Sequence, residues 1–180
     1  MDAHLRRALA ADAAAVAGVH VAGWRDGYAG LLPDAYLAGL DDAACRARWE
    51  AQLGNPDRET VEFVAEAGVG VIGFVSVGPS ADQDARGAGE VWDLFVAHHA
   101  WGSGVGTRLL GAGLDALAQR GFTEAVVWVL AGNARATTCY RRAGFAFDQL
   151  VRRQREAGFV MVDNRFRLRL AGTPAQGLGA

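Results

Sequence analysis

Residues 94–110 read LFVAHHAWGSGVGTRLL: a β-rich run, glycines at 102, 104 and 106, then an apolar helical pattern. No other stretch limits the fold as tightly. Glycine inside regular structure costs roughly 0.5–1 kcal/mol relative to alanine, so three so close mark a hand-over with special needs. Two needs fit: a turn with positive φ, or a backbone that must approach a ligand. A ligand here would be an anion, because a helix N-terminus presents unpaired N–H groups and about half a positive charge. With no side chains at Gly102, Gly104 and Gly106, a pyrophosphate could meet those N–H groups directly, and Ser103, Thr107 and Arg108 could add contacts.

Other phosphate-binding schemes fit less well. Thr107 stands where G-x-G-x-x-G needs its third glycine, and the stretch lies mid-chain. All 18 basic residues are arginine, so the chain has neither the lysine of a Walker A loop nor one for a Schiff base.

The elements around the glycines alternate in period. A strand from His4 to Ala8 precedes a helix that Asp12 would cap. A turn-rich link follows, in which Pro33 can start a short helix, and then a helix over 42–53 capped by Asp41 or Asp42. VEFVAEA (61–67) and VIGFVSV (71–77) form a hairpin, GPSADQDARGAG (78–89) a polar, glycine-rich and mobile loop, and EVWDLFV (90–96) a third strand. The glycines open a helix over about 105–120, with an apolar stripe of Val105, Leu109, Leu110, Leu114 and Leu117. EAVVWVL (124–130) is apolar enough for a central strand. A helix over 134–143 and two alternating strands end the pattern, with Arg165, Arg167 and Arg169 on one face of the last. The expectation is a single mixed α/β domain over 1–170, its sheet mostly antiparallel, with a flexible tail at 171–180.

Composition narrows the partners. A formal net charge of −2 argues against a nucleic-acid binder. No apolar run reaches the roughly 18 residues of a membrane span. The N-terminus lacks the pattern of a signal peptide, so a cytoplasmic location is expected. Cys45 and Cys139 are too few for a disulfide framework or a metal site, and the adjacent His98 and His99 read as a solvated loop.

LFVAHHAWGSGVGTRLL resembles the acetyl-CoA-binding motif of the GNAT superfamily of N-acetyltransferases: a strand, then R/Q-x-x-G-x-G/A, then a helix. VWVLAGNARATTCYRRAGF (127–145) resembles that superfamily's next strand and helix, and VHVAGWRDGYAGLLP (19–33) the first-helix region of many bacterial members. The element order agrees over 4–170. One position departs: Trp101 stands where the motif usually has arginine or glutamine, while Gly104 and Gly106 fill the later places.

The resemblance implies a fold of about seven strands flanked by helices, and acetyl-CoA as the donor, leaving as CoA. Leu94, Phe95 and Val96 would pair with the pantetheine arm, while Trp101, Gly102, Ser103, Gly104, Val105, Gly106 and Thr107 surround the pyrophosphate. Asn133 is both a plausible N-cap and a cofactor contact. Tyr140 occupies the position of the tyrosine that protonates the CoA sulfur, against the alternative of a packed core aromatic.

Transfer to an amine needs a base, because an alkyl amine of pKa near 10.4 is free base only about once in 10³ molecules at neutral pH. Glu90 and Asp93 are the candidates, with the resemblance favouring Glu90. In a regular strand they point to opposite faces, so only one would meet the acceptor unless a bulge intervenes. Trp24, Tyr28 and Trp92 would line the acceptor pocket or pack in the core. The implied activity is direct acetyl transfer to an amine of a small molecule or peptide; the alternative is a weakly catalytic acyl-CoA sensor. An edge strand such as 160–170 could serve a homodimer.

Overall fold

The computed structural model describes residues 2–68 and 70–170. The tail expected at 171–180 lies outside the described residues. Seven strands form one sheet: β1 (His4–Arg7), β2 (Val61–Ala67), β3 (Gly70–Pro79), β4 (Gly89–Val96), β5 (Glu124–Leu130), β6 (Ala146–Glu156) and β7 (Phe159–Arg169). Their order is β1-β2-β3-β4-β5-β7-β6, and β4–β5 is the parallel pair among antiparallel neighbours. The helices are α1 (Ala13–Gly27), α2 (Asp34–Ala38), α3 (Asp42–Gly54), α4 (Val105–Gln119) and α5 (Ala134–Arg142).

The helices cover both faces. On one, Val16 and Ala17 of α1 and Trp49 and Leu53 of α3 pack on Val64 and Phe74. On the other, Leu109, Leu110 and Leu117 of α4 and Tyr140 of α5 pack on Val75, Val77, Val127 and Phe166. Alternation within each strand supplies both cores.

Three expectations are corrected. Asp12 does not cap α1; it accepts from the Leu9 N–H at 2.7 Å and pairs with Arg6 at 2.7 Å. The stretch after β3 is strapped to the sheet: Asp82 and Asp84 grip Arg165, and Ala85 and Ala88 pack on Val126. Finally, β7 is interior, between β5 and β6, because it returns from the hairpin turn to pair with β5; the free edge belongs to β6.

Candidate active site

A bulge and a split shape the centre of the sheet. Ser76 pairs with Asp93 and Val77 with Val91, which leaves Trp92 unpaired in β4. That extra residue puts Glu90 and Asp93 on one face, opposite Gly78 and Ser76 of β3. The parallel pairing of β4 with β5 stops after Glu90↔Val126. Beyond it, Leu94, Phe95 and Val96 have no strand partner on the β5 side among the described residues.

At the mouth of the split, the glycine loop turns into α4. Gly102 and Gly104 have φ of 76° and 83°, so their freedom is spent on left-handed backbone. Gly106 is ordinary helix, and a Cβ there would only graze Val96 at 3.5 Å. No side chain caps this end, and the N–H groups of Gly104, Val105, Gly106 and Thr107 find no acceptor among the described residues. The Ser103 hydroxyl donates to the Ala100 carbonyl at 2.6 Å. A groove of about 550 Å³ runs from here between α4 and α5, lined by Thr107, Leu110, Arg135, Thr138, Cys139 and Arg142.

Trp101 bridges the same mouth. Its indole N–H donates to the Val96 carbonyl at 2.8 Å, and the Arg135 guanidinium lies 3.2 Å from its ring centre. Asn133 caps α5, accepting from the Ala136 N–H at 3.0 Å.

Two candidate bases meet different surroundings. Glu90 is 4% exposed and accepts from the Ser80 hydroxyl at 2.9 Å, under the strapped loop. Burial pushes its pKa up to about 7. Asp93 accepts no hydrogen bond among the described residues, although its side chain is only 19% exposed. Burial pushes its pKa up to about 6, against the pull of Arg48.

Tyr140 extends from α5 with its ring buried against Phe145, 5.5 Å between centres. Its hydroxyl has no hydrogen-bond partner among the described residues. Burial, then the charges of Cys139, Tyr28 and Asp93, hold it protonated well above its usual range. Tyr28, at the end of α1, is similarly unpartnered; burial raises it to about 12, with Asp93 and Asp163 adding to the shift. The Asp93 charge thus raises both Tyr28 and Tyr140, as it does Cys45, while Glu90 is not among the groups acting on either tyrosine.

The aromatic candidates divide. Trp24 and Tyr28 pack edge to face at 4.7 Å, and the row continues through Tyr36 to Phe159 of β7, 5.0 Å from Tyr36. Trp92, at the bulge, is 43% exposed and makes no ring contact with that row. Tyr36 and Phe159 escaped sequence reasoning, and so did His20, whose Nε2 lies 3.7 Å from Asp93 Oδ1. The signal for His20 was its place four residues before Trp24, on the same helix face. Phe159 gave none, because β7 reaches the site only through tertiary pairing. Gly23 has a plain structural reason: a Cβ would collide with the Phe95 ring, so α1 can press onto β4.

The centre of the fold is thus a seven-stranded sheet split beside a helix end that no side chain caps. The family model described as acetyltransferase (GNAT) family matches residues 24–145. The chain belongs to that family and is an acyltransferase.

Relatives and neighbours agree. The uncharacterized N-acetyltransferase YuaI of Bacillus subtilis (strain 168) is 32% identical over 130 residues, 72% of each chain. The mycothiol acetyltransferase of Clavibacter michiganensis subsp. michiganensis is 48% identical over 59 residues, covering 33% of this chain but only 19% of that protein. Among solved structures, the PaiA N-acetyltransferase of Thermoplasma acidophilum in complex with coenzyme A superposes with a TM-score of 0.74 at 16% identity, covering 94% of this chain and 99% of that one. The ribosomal-protein-alanine N-acetyltransferase of Brucella melitensis gives 0.69 at 25% identity, covering 93% and 99%.

Proposed function

We propose that this chain moves an acetyl group from acetyl-CoA directly to a primary amine, with Asp93 as the base and Tyr140 as the acid. The carrying observation is the pair of unpartnered groups beside the split: a carboxylate and a phenol, each shielded from water and uncommitted to the protein. The split itself is the support for the donor. The edge of Leu94, Phe95 and Val96 that faces the split, away from β3, suits the pantetheine amides as an added strand would. The N–H groups of Gly104, Val105, Gly106 and Thr107 suit the pyrophosphate, with Arg135 and Arg142 along the groove for further phosphate charge. Gly102, Ser103 and Trp101 shape the loop, and Asn133 starts the facing helix.

The proton flow follows from the two side chains. The acceptor arrives as an ammonium, attracted by Asp93 and by the rings of Trp24 and Tyr28. Asp93 takes a proton, and the freed lone pair attacks the thioester carbonyl. As the new N–C bond forms and the C–S bond breaks, Tyr140 gives its proton to the departing thiolate. The nitrogen's second proton passes to solvent as the amide forms; Asp93 then releases its proton and Tyr140 regains one, so one proton in all is released for each ammonium acetylated. No enzyme nucleophile is needed, and burial keeps the Cys139 thiol protonated.

Glu90 fits a structural role better, being buried under the strapped loop with the Ser80 hydroxyl as its donor. A second reading, an acyl-CoA sensor with weak catalysis, is favoured by one contact: the Trp101 indole occupies the Val96 carbonyl that pantetheine would use. The reading extends to a cytoplasmic enzyme that pairs, if at all, through the β6 edge. The test is thiol release from acetyl-CoA over a panel of primary amines. Amine-dependent release supports the enzyme; tight CoA binding without release from any amine supports the sensor.

A further inference from the structure

Of the buried polar groups that the proposed reaction leaves unused, His20 lies beside the proposed base. His20 of α1 is 6% exposed, its ring stacked on Phe95 with 4.8 Å between centres. Three nitrogen donors crowd it. Trp49 Nε1 and an Arg48 guanidinium nitrogen each lie 3.1 Å from Nδ1, and Trp24 Nε1 lies 2.9 Å from Nε2.

A neutral imidazole offers one lone pair and one N–H, so it cannot accept at both nitrogens. Becoming an imidazolium does not help: it would offer no acceptor at all, and burial, with Arg48, lowers the ring's pKa to about 3. One indole must therefore face an N–H. Burial decides which. Trp49 is wholly buried and has no other acceptor among the described residues, and Arg48 shares the same ring nitrogen. Leaving those donors unmet would cost more than turning Trp24, which is part exposed. The lone pair belongs on Nδ1 and the proton on Nε2, the nitrogen 3.7 Å from Asp93 Oδ1.

We propose that His20 is a positioning residue for acetyl transfer: its neutral ring aims the Nε2–H at the Asp93 carboxylate and turns the Trp24 indole N–H toward the acceptor. This rests on Asp93 being the base. At 3.7 Å the contact is longer than a hydrogen bond, and two opposed N–H groups have no reason to stay at 2.9 Å. An oxygen between them, from Asp93 or from the acceptor, satisfies both.

The other groups acting on Asp93 come from every side. Tyr28 ends α1, Cys45 and Arg48 lie on α3, and Tyr140 on α5. Glu62 of β2 repels it, although Gln52, Arg58 and Ser76 already engage that carboxylate. Asp163 of β7 reaches Tyr28 but is paired with Arg152. Among the described residues, His20 is the nearest basic side chain to the Asp93 oxygens.

The test is NMR on the full chain, which needs no acceptor. Long-range proton–nitrogen spectra read the His20 tautomer, and carbon-detected titration reads the Asp93 carboxyl in wild type, His20→Phe and His20→Gln. The expected ring carries its proton on Nε2 and does not titrate between about pH 5 and 8. The Asp93 midpoint should rise by about one unit in His20→Phe and return toward wild type in His20→Gln, whose amide can donate from the same side. An Nδ1–H tautomer, or an unmoved midpoint in a folded His20→Phe, overturns the proposal. If His20→Phe does not fold, the wild-type tautomer and the His20→Gln midpoint decide it. Asp93→Asn, assayed for amine-dependent thiol release, separates the two ideas. Full activity there removes the base, and with it the positioning role, even if the Asp93 midpoint responds to His20.

Discussion

Glu90 and Asp93 stand three residues apart on β4 and yet share one face of the sheet, because Trp92 is the unpaired residue of a bulge between them. The bulge also separates their tasks. Glu90 lies where β4 still pairs with β5, under the strapped loop, and Asp93 lies where the strands have parted. The two carboxylates thus meet different neighbours. Their titration should tell them apart.

Glu90 costs stability when it ionises. Its folded-state pKa of about 7 lies above the ordinary 4.5, so between those values the folded chain keeps a proton that the unfolded chain has lost. Stability contributed by this group therefore falls as pH rises through that window. Glu90→Gln should be more stable than wild type near pH 8 by about 3 kcal/mol, and no more stable near pH 4. Urea unfolding at the two pH values checks this.

Asp93 should set the acid limb of the rate. With a pKa of about 6 it is a carboxylate at neutral pH and loses that form below. The kcat/KM for an amine found by screening should fall about tenfold per pH unit on the acid side of that midpoint, after correction for the amine's own titration. A profile flat to about pH 4.5 would show an ordinary carboxylate, or none, at work.

Tyr140→Phe should lose the acid without disturbing the core, because the ring stays buried against Phe145. The expected result is about a 10²-fold drop in kcat with CoA affinity unchanged. Pre-loading with CoA and following its binding by calorimetry separates the two effects.

Trp101 should restrain donor binding. Its indole takes the Val96 carbonyl, so Trp101→Gln frees one hydrogen bond for the pantetheine arm. CoA should bind about two- to tenfold tighter, the range of one net hydrogen bond. Looser binding would mean that the ring's contact with Arg135 is worth more than the blocked carbonyl.

The strap over Glu90 hangs on Arg165, which is 2% exposed and bonds Asp82, Asp84 and Asp148. Arg165→Leu leaves those carboxylates facing one another. It should cost about 3 kcal/mol, at the low end for a broken buried pair because Asp84 is half exposed. Limited proteolysis should then cut within 80–88.

Much of this molecule was legible in its sequence, for identifiable reasons. Periodicity fixed the hairpin and α4, and the Asp41 and Asn133 caps marked where α3 and α5 begin. The three glycines divide between two needs: Gly102 and Gly104 serve the turn, and Gly106 keeps the helix start bare. What stayed hidden depended on distant pairings. Nothing local says that Asp82 and Asp84 will find Arg165, some 80 residues away, so 78–89 read as an untethered loop. The bulge at Trp92 is set by the register against β3, so the sequence left open which carboxylate faces the acceptor. Phe159 joins Tyr36 only because β7 pairs with β5.

The most direct measurement is thiol release from acetyl-CoA across a primary-amine panel, run with wild type, Asp93→Asn and Glu90→Gln side by side. The account predicts amine-dependent release, reduced by about 10²-fold or more in Asp93→Asn and kept in Glu90→Gln. Release that survives Asp93→Asn and is lost in a folded Glu90→Gln would contradict it.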